Sequence, residues 1–346
     1  MQATAPRMTD RFERPLRDLR ISVTDRCNFR CPYCMPEETY GERYHFLPRR
    51  DLLSFEEIER LVRIFCELDA MKIRITGGEP LLRAELSKLI AKLARIEGLA
   101  DLALTTNGYS LPSRAQELRD AGLGRVTVSL DSLDDEVFKY MNGRGFAVAQ
   151  VLDGIAAAKR VGLRPIKLNC VVQRGVNDHT IVDLARHFRG TGHIVRFIEF
   201  MDVGTLNRWQ HSQVVSAKEI LARIDAELPL VPASPNYPGE VAQRYLYADG
   251  GGEIGLIASV SQPFCGDCTR ARLTPDGHLV TCLFATGGED LKTPLRAGAS
   301  DEELRTVIRA VWSKRTDRYS EERSGKASPL LSPTERARIE MYQIGG

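Results

Sequence analysis

Short runs rich in β-branched residues alternate with longer amphipathic segments through the first two thirds of the chain. Strands are predicted at residues 20–24, 72–76, 102–106, 125–131, 166–172 and 194–200. The clearest intervening helix follows Ser54 and covers residues 55–68, where Ser54 and Glu57 have the spacing of a capping box. Six β-then-α units in succession predict a parallel sheet with right-handed crossovers. The units alone fit an open doubly wound sheet or an incomplete barrel.

The alternation of side chains within the strands favours the incomplete barrel. Neighbouring residues of a strand face opposite ways, so one face of each predicted strand is apolar and the other is polar. A closed barrel fills its interior with branched apolar side chains, and a doubly wound sheet is apolar on both faces. A polar inner face therefore predicts a wet ligand cavity. Its cations would be Arg20, Lys72, Arg74, Lys167 and Arg196. So many cations need anions, and a phosphate chain fits best.

The pattern changes after Met201. Residues 202–213 and 231–240 are rich in Gly, Pro and polar residues and are predicted to be loops. Short strands are predicted at residues 245–247, 255–260, 270–274 and 278–283, and a helix at 301–312, capped by Ser300 with Glu303. Residues 313–335 are charged and are predicted to be mobile. We therefore predict an α/β fold, an incomplete (βα)6 TIM-like barrel over residues 1–201 with a C-terminal α+β extension over 202–346.

Composition excludes several classes of protein. Hydrophobic residues make up 43% and charged residues 27% of the 346, which rules out a disordered chain. The 48 Lys and Arg nearly balance the 46 Asp and Glu, so charge does not favour nucleic acid or a membrane as partner. A polar N-terminus without an apolar segment does not resemble a signal peptide. We expect a cytoplasmic protein with reduced thiols.

The eight cysteines indicate metal chemistry, because six of them fall into two triplets. The first triplet has the spacing C-x3-C-x2-C (Cys27, Cys31, Cys34), and the second has C-x2-C-x13-C (Cys265, Cys268, Cys282). Cys66 and Cys170 are isolated and are predicted to be core residues. His278 could complete the second triplet as a structural Cys3His zinc site. Three thiolates per site instead match a cubane iron–sulfur cluster with one iron open to a small molecule.

Two motifs together carry a family resemblance. The first triplet, followed by Gly77-Gly78-Glu79-Pro80 after the second strand, resembles the signature of the radical S-adenosylmethionine (SAM) superfamily. Residues 15–20, 24–27, 72–76, 105–108, 196–201 and 265–272 resemble the GTP 3′,8-cyclase family of molybdenum cofactor biosynthesis, as does the terminal Gly345-Gly346. The resemblance covers nearly the whole chain and implies a radical SAM lyase that converts GTP to (8S)-3′,8-cyclo-7,8-dihydro-GTP.

The resemblance also implies roles for individual residues. The first triplet would hold the 4Fe–4S cluster that cleaves SAM, and the second triplet would hold another 4Fe–4S cluster, which leaves His278 unligated. The residues implied for SAM are Tyr33, Gly78, Glu79, Ser129 and Met201. Those implied for GTP are Arg20, Lys72, Arg74, Thr105, Lys167, Arg196, Thr269, Arg270, Ala271 and Arg272. Catalytic roles fall to Cys27, Cys31, Cys34, Arg270 and Arg272. Implied partners are an electron donor such as flavodoxin or ferredoxin, a downstream cyclic pyranopterin monophosphate synthase and a second copy in a homodimer.

Two other functions compete with this interpretation. A peptide-modifying radical enzyme with an auxiliary cluster would have fewer cations in its cavity, so Arg74, Lys167 and the Arg270-x-Arg272 pair argue against it. A metal-stapled RNA-binding module would have a basic patch with interleaved aromatics, whereas this chain is only 7% aromatic. No G-x4-G-K-[ST] motif is present, so GTP binding would not be of the P-loop type. We further hypothesise that the terminal glycine pair enters the cavity.

Overall fold

The computed structural model describes residues 8–324 and 338–345. Its first part consists of six parallel strands, of which the first five are each followed by one or two α-helices before the next strand. The strands are β1 (Asp18–Ser22), β2 (Lys72–Thr76), β3 (Asp101–Thr106), β4 (Arg125–Ser129), β5 (Lys167–Val172) and β6 (Ile194–Glu199). The helices are α1 (Phe55–Glu67), α2 (Leu86–Leu93), α3 (Leu111–Asp120), α4 (Asp135–Asn142), α5 (Val148–Arg160) and α6 (Ile181–Phe188). The predicted βα alternation is confirmed, with strand ends that differ by a few residues.

The second part is a mixed extension. Its strands are β7 (Leu230–Ala233), β8 (Gln243–Tyr247), β9 (Glu253–Ile257), β10 (Arg270–Leu273), β11 (His278–Val280) and β12 (Glu289–Asp290). Its helices are α7 (Ala217–Asp225), α8 (Lys292–Arg296), α9 (Asp301–Ser313), α10 (Tyr319–Ser324) and α11 (Met341–Ile344). Short 3-10 helices lie at Arg49–Asp51, Pro80–Leu82, His211–Gln213 and Cys265–Asp267. Within the described ranges, no helix is both long and apolar enough to cross a membrane.

The twelve strands found among the described residues belong to one sheet, in the order β12-β11-β10-β1-β2-β3-β4-β5-β6-β9-β8-β7. The extension adds strands to both edges of the six-stranded barrel, since β10 pairs parallel to β1 and β9 pairs parallel to β6. The incomplete-barrel prediction is confirmed, and the strands from either side of residue 201 share the sheet. A domain division at that residue stays a prediction.

The helices cover the apolar face of this sheet, as the strand pattern predicted. Ile21, Ile73 and Ile75 are almost fully buried in the core beneath α1 and its neighbours. Helix α1 begins at the predicted capping box, in which the Ser54 hydroxyl accepts from Glu57 N and the Glu57 carboxylate accepts from Ser54 N. Apolar packing on one face leaves the polar face of each barrel strand turned toward the interior of the barrel.

Two predictions about the extension are wrong. Residues 231–233, predicted as the start of a loop, belong to β7, where Pro232 is tolerated because this edge strand does not need every N–H in the ladder. Part of the segment predicted to be mobile forms α10, since Tyr319 stacks on Phe284 with ring centroids 4.5 Å apart and donates a hydrogen bond to Asp202. The remainder of that prediction, residues 325–335, lies outside the described residues, as do residues 336–337 and Gly346.

Candidate active site

Strand register places a layer of arginines inside the barrel. Arg20 on β1 is directly opposite Arg74 on β2 and Arg272 on β10, so the three side chains share one face on adjacent strands. Arg125 on β4 continues the layer, because Arg74 pairs with Ala103 and Ala103 pairs with Arg125. Adjacent strands lie about 4.8 Å apart, which brings these guanidiniums close together. The layer lines one cavity together with Lys72, Lys167, Arg196 and Arg270.

Some of these cations have partners. Arg74 Nη1 donates to the hydroxyls of Thr105 and Thr127, at 3.0 Å each. Arg125 is held by Asp101 in a two-bond pair at 2.8 and 2.6 Å, which leaves its buried Nη1 without a partner among the described residues. The Lys72 ammonium lies 3.1 Å from the ring centroid of Tyr237. In the same described ranges, no acceptor reaches the side chains of Arg20, Lys167 or Arg196.

The pKa values of cations in this cavity are lowered by burial and by neighbouring positive charges. Burial, together with Arg196 and Arg125, lowers the pKa of Lys167 to about 7. Burial and the neighbouring arginines also lower the pKa of Arg20. Burial and the neighbouring cations thus disfavour positive charge on these side chains. A polyanionic ligand would remove that penalty, so the cavity is electrostatically suited to a phosphate chain.

The first cysteine triplet lies in the loop after β1, at the C-terminal end of the parallel strands. The Gly77-Gly78 turn after β2 holds this loop, because Gly78 N donates to Thr24 O and Glu79 N donates to Arg26 O, both at 2.8 Å. A Cβ on Gly78 would collide with the Arg26 carbonyl, which explains the glycine. Phe29 N lies 3.4 Å from the sulfur of Cys27 and donates to it.

The Glu79 side chain is hydrogen-bonded to other residues of the protein. Its carboxylate accepts from Leu81 N at 3.0 Å, from the Thr106 hydroxyl at 2.7 Å and from Asn107 N at 2.7 Å. Burial raises the pKa of this carboxyl to about 7 against those hydrogen bonds. Glu79 therefore ties the loops after β2 and β3 together, and its side chain does not line the cavity in this structure.

The second triplet lies at the opposite end of the barrel. Cys265 and Cys268 directly precede β10, which runs parallel to β1, so they lie at the N-terminal end of the strands. Continuing the antiparallel register of β10 and β11 places Cys282 level with Arg270. Arg270 Nη2 lies 3.4 Å from the Cys268 sulfur. Although burial opposes ionisation, Arg270 and Arg315 lower the pKa of the Cys268 thiol to about 6.

Both triplets fit the thiolate donor set of a cubane cluster. All of their cysteines are free thiols that line the same cavity. Main-chain or arginine N–H groups point at sulfurs in each triplet, and such hydrogen bonds accompany iron–sulfur ligation. His278 Nδ1 lies 3.3 Å from an Asp276 carboxylate oxygen and does not line this cavity. The donor sets therefore favour two three-thiolate sites over the Cys3His zinc alternative.

Most residues that the sequence assigned to ligands line this cavity. They are Tyr33, Gly78, Ser129, Met201, Arg20, Lys72, Arg74, Thr105, Lys167, Arg196, Arg270 and Arg272. Glu79, Thr269 and Ala271 do not line it. The Thr269 hydroxyl donates to Asp18 at 2.6 Å, and Ala271 is fully buried.

Some cavity residues were missed by the sequence analysis. Strand alternation could have found Arg125, which shares the polar face of its strand with Thr127 and Ser129. No local pattern indicated Tyr237 or Arg315, which come from segments predicted to be irregular. The isolated Cys170 is fully buried, as predicted, and Cys66 packs at the edge of the core.

The C-terminal segment also reaches the cavity. Met341 lines it, and Arg272 Nη1 donates to the carbonyl of Ile344 at 2.9 Å and to that of Gly345. Gly345 packs against Thr76 at the end of β2, where any larger residue would collide with that side chain. Its partner in the terminal glycine pair, Gly346, lies outside the described residues.

Comparison with known proteins assigns the class and then the family. The radical SAM superfamily model matches residues 21–188, and the Molybdenum Cofactor Synthesis C model matches residues 193–321. The barrel, the first triplet and the match to the radical SAM superfamily model define a radical SAM enzyme. A GTP 3′,8-cyclase of Xanthomonas axonopodis pv. citri (strain 306) is 53% identical over 343 residues, covering 99% of this chain and 100% of that protein. The chain belongs to the GTP 3′,8-cyclase family.

More distant relatives carry the same name. A GTP 3′,8-cyclase of Staphylococcus aureus (strain Mu50 / ATCC 700699) is 48% identical over 338 residues, covering 97% of this chain and 98% of that protein. Among solved structures, native anSMEcpe with bound AdoMet is 19% identical, with a TM-score of 0.47 over 60% of this chain and 59% of that one. The family assignment rests on the full-length sequence relatives.

Proposed function

We propose that this chain is a radical SAM lyase that converts GTP to (8S)-3′,8-cyclo-7,8-dihydro-GTP, the first step of molybdenum cofactor biosynthesis. The observation that carries this proposal is a single cavity with a cysteine triplet at each end and a layer of arginines between them. Relatives about half identical over the full length carry the same activity in their names.

In this proposal, each triplet holds one 4Fe–4S cluster, and Tyr33, Gly78, Ser129 and Met201 bind SAM beside the first one. When bound, that cluster and SAM would supply a 5′-deoxyadenosyl radical able to remove the ribose 3′ hydrogen of GTP. Tyr33 is already oriented for this role, since its hydroxyl donates to Asp131 at 2.8 Å. Glu79 acts as a positioning residue, because its carboxylate orders the loops around SAM rather than entering the cavity.

The arginine layer and the other cations of the cavity bind the triphosphate. Arg20, Lys167 and Arg196 offer side chains that no described acceptor engages, and phosphate oxygens are the acceptors that guanidinium and ammonium groups prefer. Arg270 and Arg272 directly follow Cys265 and Cys268 of the second triplet, so they orient the nucleotide at the end where that triplet lies. The clamp holds the reacting ribose and base in position and leaves the phosphates intact.

An anaerobic assay tests the proposal. Reconstituted protein is mixed with SAM and dithionite, with and without GTP deuterated at the ribose 3′ position, and 5′-deoxyadenosine is quantified. We expect GTP to stimulate the release of 5′-deoxyadenosine. We also expect deuterium from the ribose 3′ position in that 5′-deoxyadenosine. The Cys31→Ser variant should be inactive, whereas Cys66→Ser, at a thiol packed on the core, should keep its activity.

Each alternative outcome has a separate meaning. Release that does not respond to GTP would contradict the substrate, and no release from cluster-loaded protein would contradict the enzyme class. The electron donor of the flavodoxin or ferredoxin type, the downstream cyclic pyranopterin monophosphate synthase, the homodimer and the cytoplasmic location stay predictions.

A further inference from the structure

A buried ion network lies behind the second cysteine triplet and includes the segment before β1. The Asp10 carboxylate accepts from Arg14 Nε at 2.6 Å and from the main-chain N–H groups of Phe12 and Arg14 at 2.9 and 3.0 Å. Arg315, at the other end of the chain, reaches the same carboxylate at 3.3 Å. The side chains of Asp10, Arg14 and Arg315 are at most 2% exposed. One carboxylate thus joins two buried arginines.

Both arginines donate to the peptide groups of the cysteines. Arg14 Nη1 lies 2.7 Å from the carbonyl oxygen of Cys265, and Arg315 Nη1 lies 2.7 Å from that of Cys268. Asp317 completes the network, since its carbonyl accepts from Arg14 at 2.9 Å and its carboxylate from Arg315 at 3.2 Å. The segment from Cys265 to Cys268 is therefore fixed through its main-chain carbonyls by Arg14, 251 residues away, and by Arg315, 47 residues away.

Stability alone is a weak reason for such a network. Burying ions is costly, and well-packed apolar side chains often stabilise a protein equally well. Arg14 Nη2 is buried and has no partner among the described residues, so the network is not optimised for its own hydrogen bonds. Apolar side chains in place of Arg14 and Arg315 could not bond the two cysteine carbonyls, and they would remove the positive charge beside the thiolates.

We propose that Arg14 and Arg315, joined by Asp10, are positioning residues for the second cluster, which slow its loss and raise its reduction potential. This inference rests on the proposed function, which assigns that cluster to Cys265, Cys268 and Cys282. Because the arginines hold the carbonyls of Cys265 and Cys268, these cysteines keep their ligating geometry, and iron is lost to solvent more slowly. Nearby positive charge favours the reduced form, because the reduced cluster with its thiolates carries one more negative charge.

The first triplet provides an internal comparison. Arg30 plays the corresponding part there, with Nη1 at 2.7 Å from the Cys27 carbonyl and Nε at 2.6 Å from the Tyr40 carbonyl. Each triplet therefore has its own arginine support. Changes at Arg315 should affect only the second cluster, and changes at Arg30 only the first.

The test uses the full chain, reconstituted anaerobically, as wild type and as Arg315→Gln, Arg315→Lys, Arg30→Gln and Arg223→Met. Arg223 is the control, because it bonds the main-chain carbonyl of Asp178 and the carboxylate of Glu219, neither of which belongs to a cysteine triplet or to its arginine support. Iron per chain, iron release to a chelator and redox titrations followed by electron paramagnetic resonance are measured. Titrations in a Cys27→Ala, Cys31→Ala, Cys34→Ala background isolate the second cluster.

For Arg315→Gln we expect second-cluster iron to be released at least tenfold faster. We also expect its reduction equilibrium to shift tenfold toward the oxidised form, which corresponds to about 59 mV for one electron. Arg315→Lys keeps the charge but not the forked donors, so it should restore the potential more than the retention of iron.

The inference would be overturned if the Arg315→Gln variant released second-cluster iron at the wild-type rate and kept the wild-type reduction potential. Equal loss of both clusters would overturn it too, since the role would then be general folding, which thermal unfolding of the cluster-free variants checks independently. A wild-type chain that holds only the first cluster would instead contradict the assignment of the second cluster.

Discussion

Lys167 allows a quantitative test of the polyanion site. Its pKa is lowered to about 7, by burial first and then by Arg196 and Arg125. A bound triphosphate supplies the missing negative charge and should restore the lysine pKa toward its ordinary value of about 10.4. Between those two values the free protein lacks a proton that the complex holds. If the triphosphate contacts Lys167 as proposed, we expect GTP binding to take up a proton and the affinity for GTP to fall as the pH rises.

The magnitude follows from the pKa. At pH 8 a group with a pKa of about 7 is only about 10% protonated, so binding should take up about 0.9 proton. At pH 6 the uptake should be close to zero. If the complex keeps Lys167 charged throughout, the affinity for GTP should drop about 50-fold between pH 7 and pH 9.

Isothermal titration calorimetry measures this uptake. Anaerobic titrations of GTP at pH 8 in phosphate and in Tris, which differ in ionisation enthalpy, give the number of protons from the slope. Lys167→Met should lose the uptake and most of the pH dependence. Lys139→Met, at an exposed lysine paired with Asp135 and Glu136, should keep both. Equal heats in the two buffers for the wild type would refute the reasoning.

Three further predictions concern single side chains. Gly78→Ala should cost the first cluster but not the second, because its methyl group would collide with the Arg26 carbonyl; iron per chain checks this, and unchanged iron would contradict it. Arg125→Met should raise KM for GTP about tenfold or more, since its unpartnered buried Nη1 offers a charged hydrogen bond of about 1.5–3 kcal/mol; an unchanged KM would remove Arg125 from the site. Ser54→Ala should cost about 1 kcal/mol of unfolding free energy through the lost cap and leave turnover unchanged, as denaturant titration and the 5′-deoxyadenosine assay would show.

The barrel could be predicted from sequence because its information is local. Period-two alternation and capping boxes depend on neighbouring residues, and both the strands and the caps at Ser54 and Ser300 were found. The same alternation identified the lumenal cations Arg20, Lys72, Arg74, Lys167 and Arg196. The alternation would also have identified Arg125 if this residue, the first of β4, had been assigned to a face of its strand.

What the sequence could not reveal depends on contacts between distant parts of the chain. The contact between Arg14 and the Cys265 carbonyl spans 251 residues, and no local pattern encodes it. The segment after Ser313 resembles a mobile tail in composition, yet the buried Arg315 within it supports the second triplet. Glu79 was placed near SAM by its motif, whereas only the structure shows that its carboxylate is fully engaged by the framework.

The parallel pairing of β10 with β1 explains how one cavity comes to have two cysteine triplets. Had β10 paired antiparallel, the cysteines that precede it would lie beside the first triplet, at the C-terminal end of the strands. Because it pairs parallel, with Asp18 opposite Arg270, the triplets are separated by the length of the strand. Four residue steps from Asp18 to Ser22 at about 3.3 Å each give about 13 Å, enough to seat a nucleotide between the two ends. The arginine layer of Arg20 and Arg272 lies within that interval, so the register that separates the triplets also places the proposed phosphate site between them.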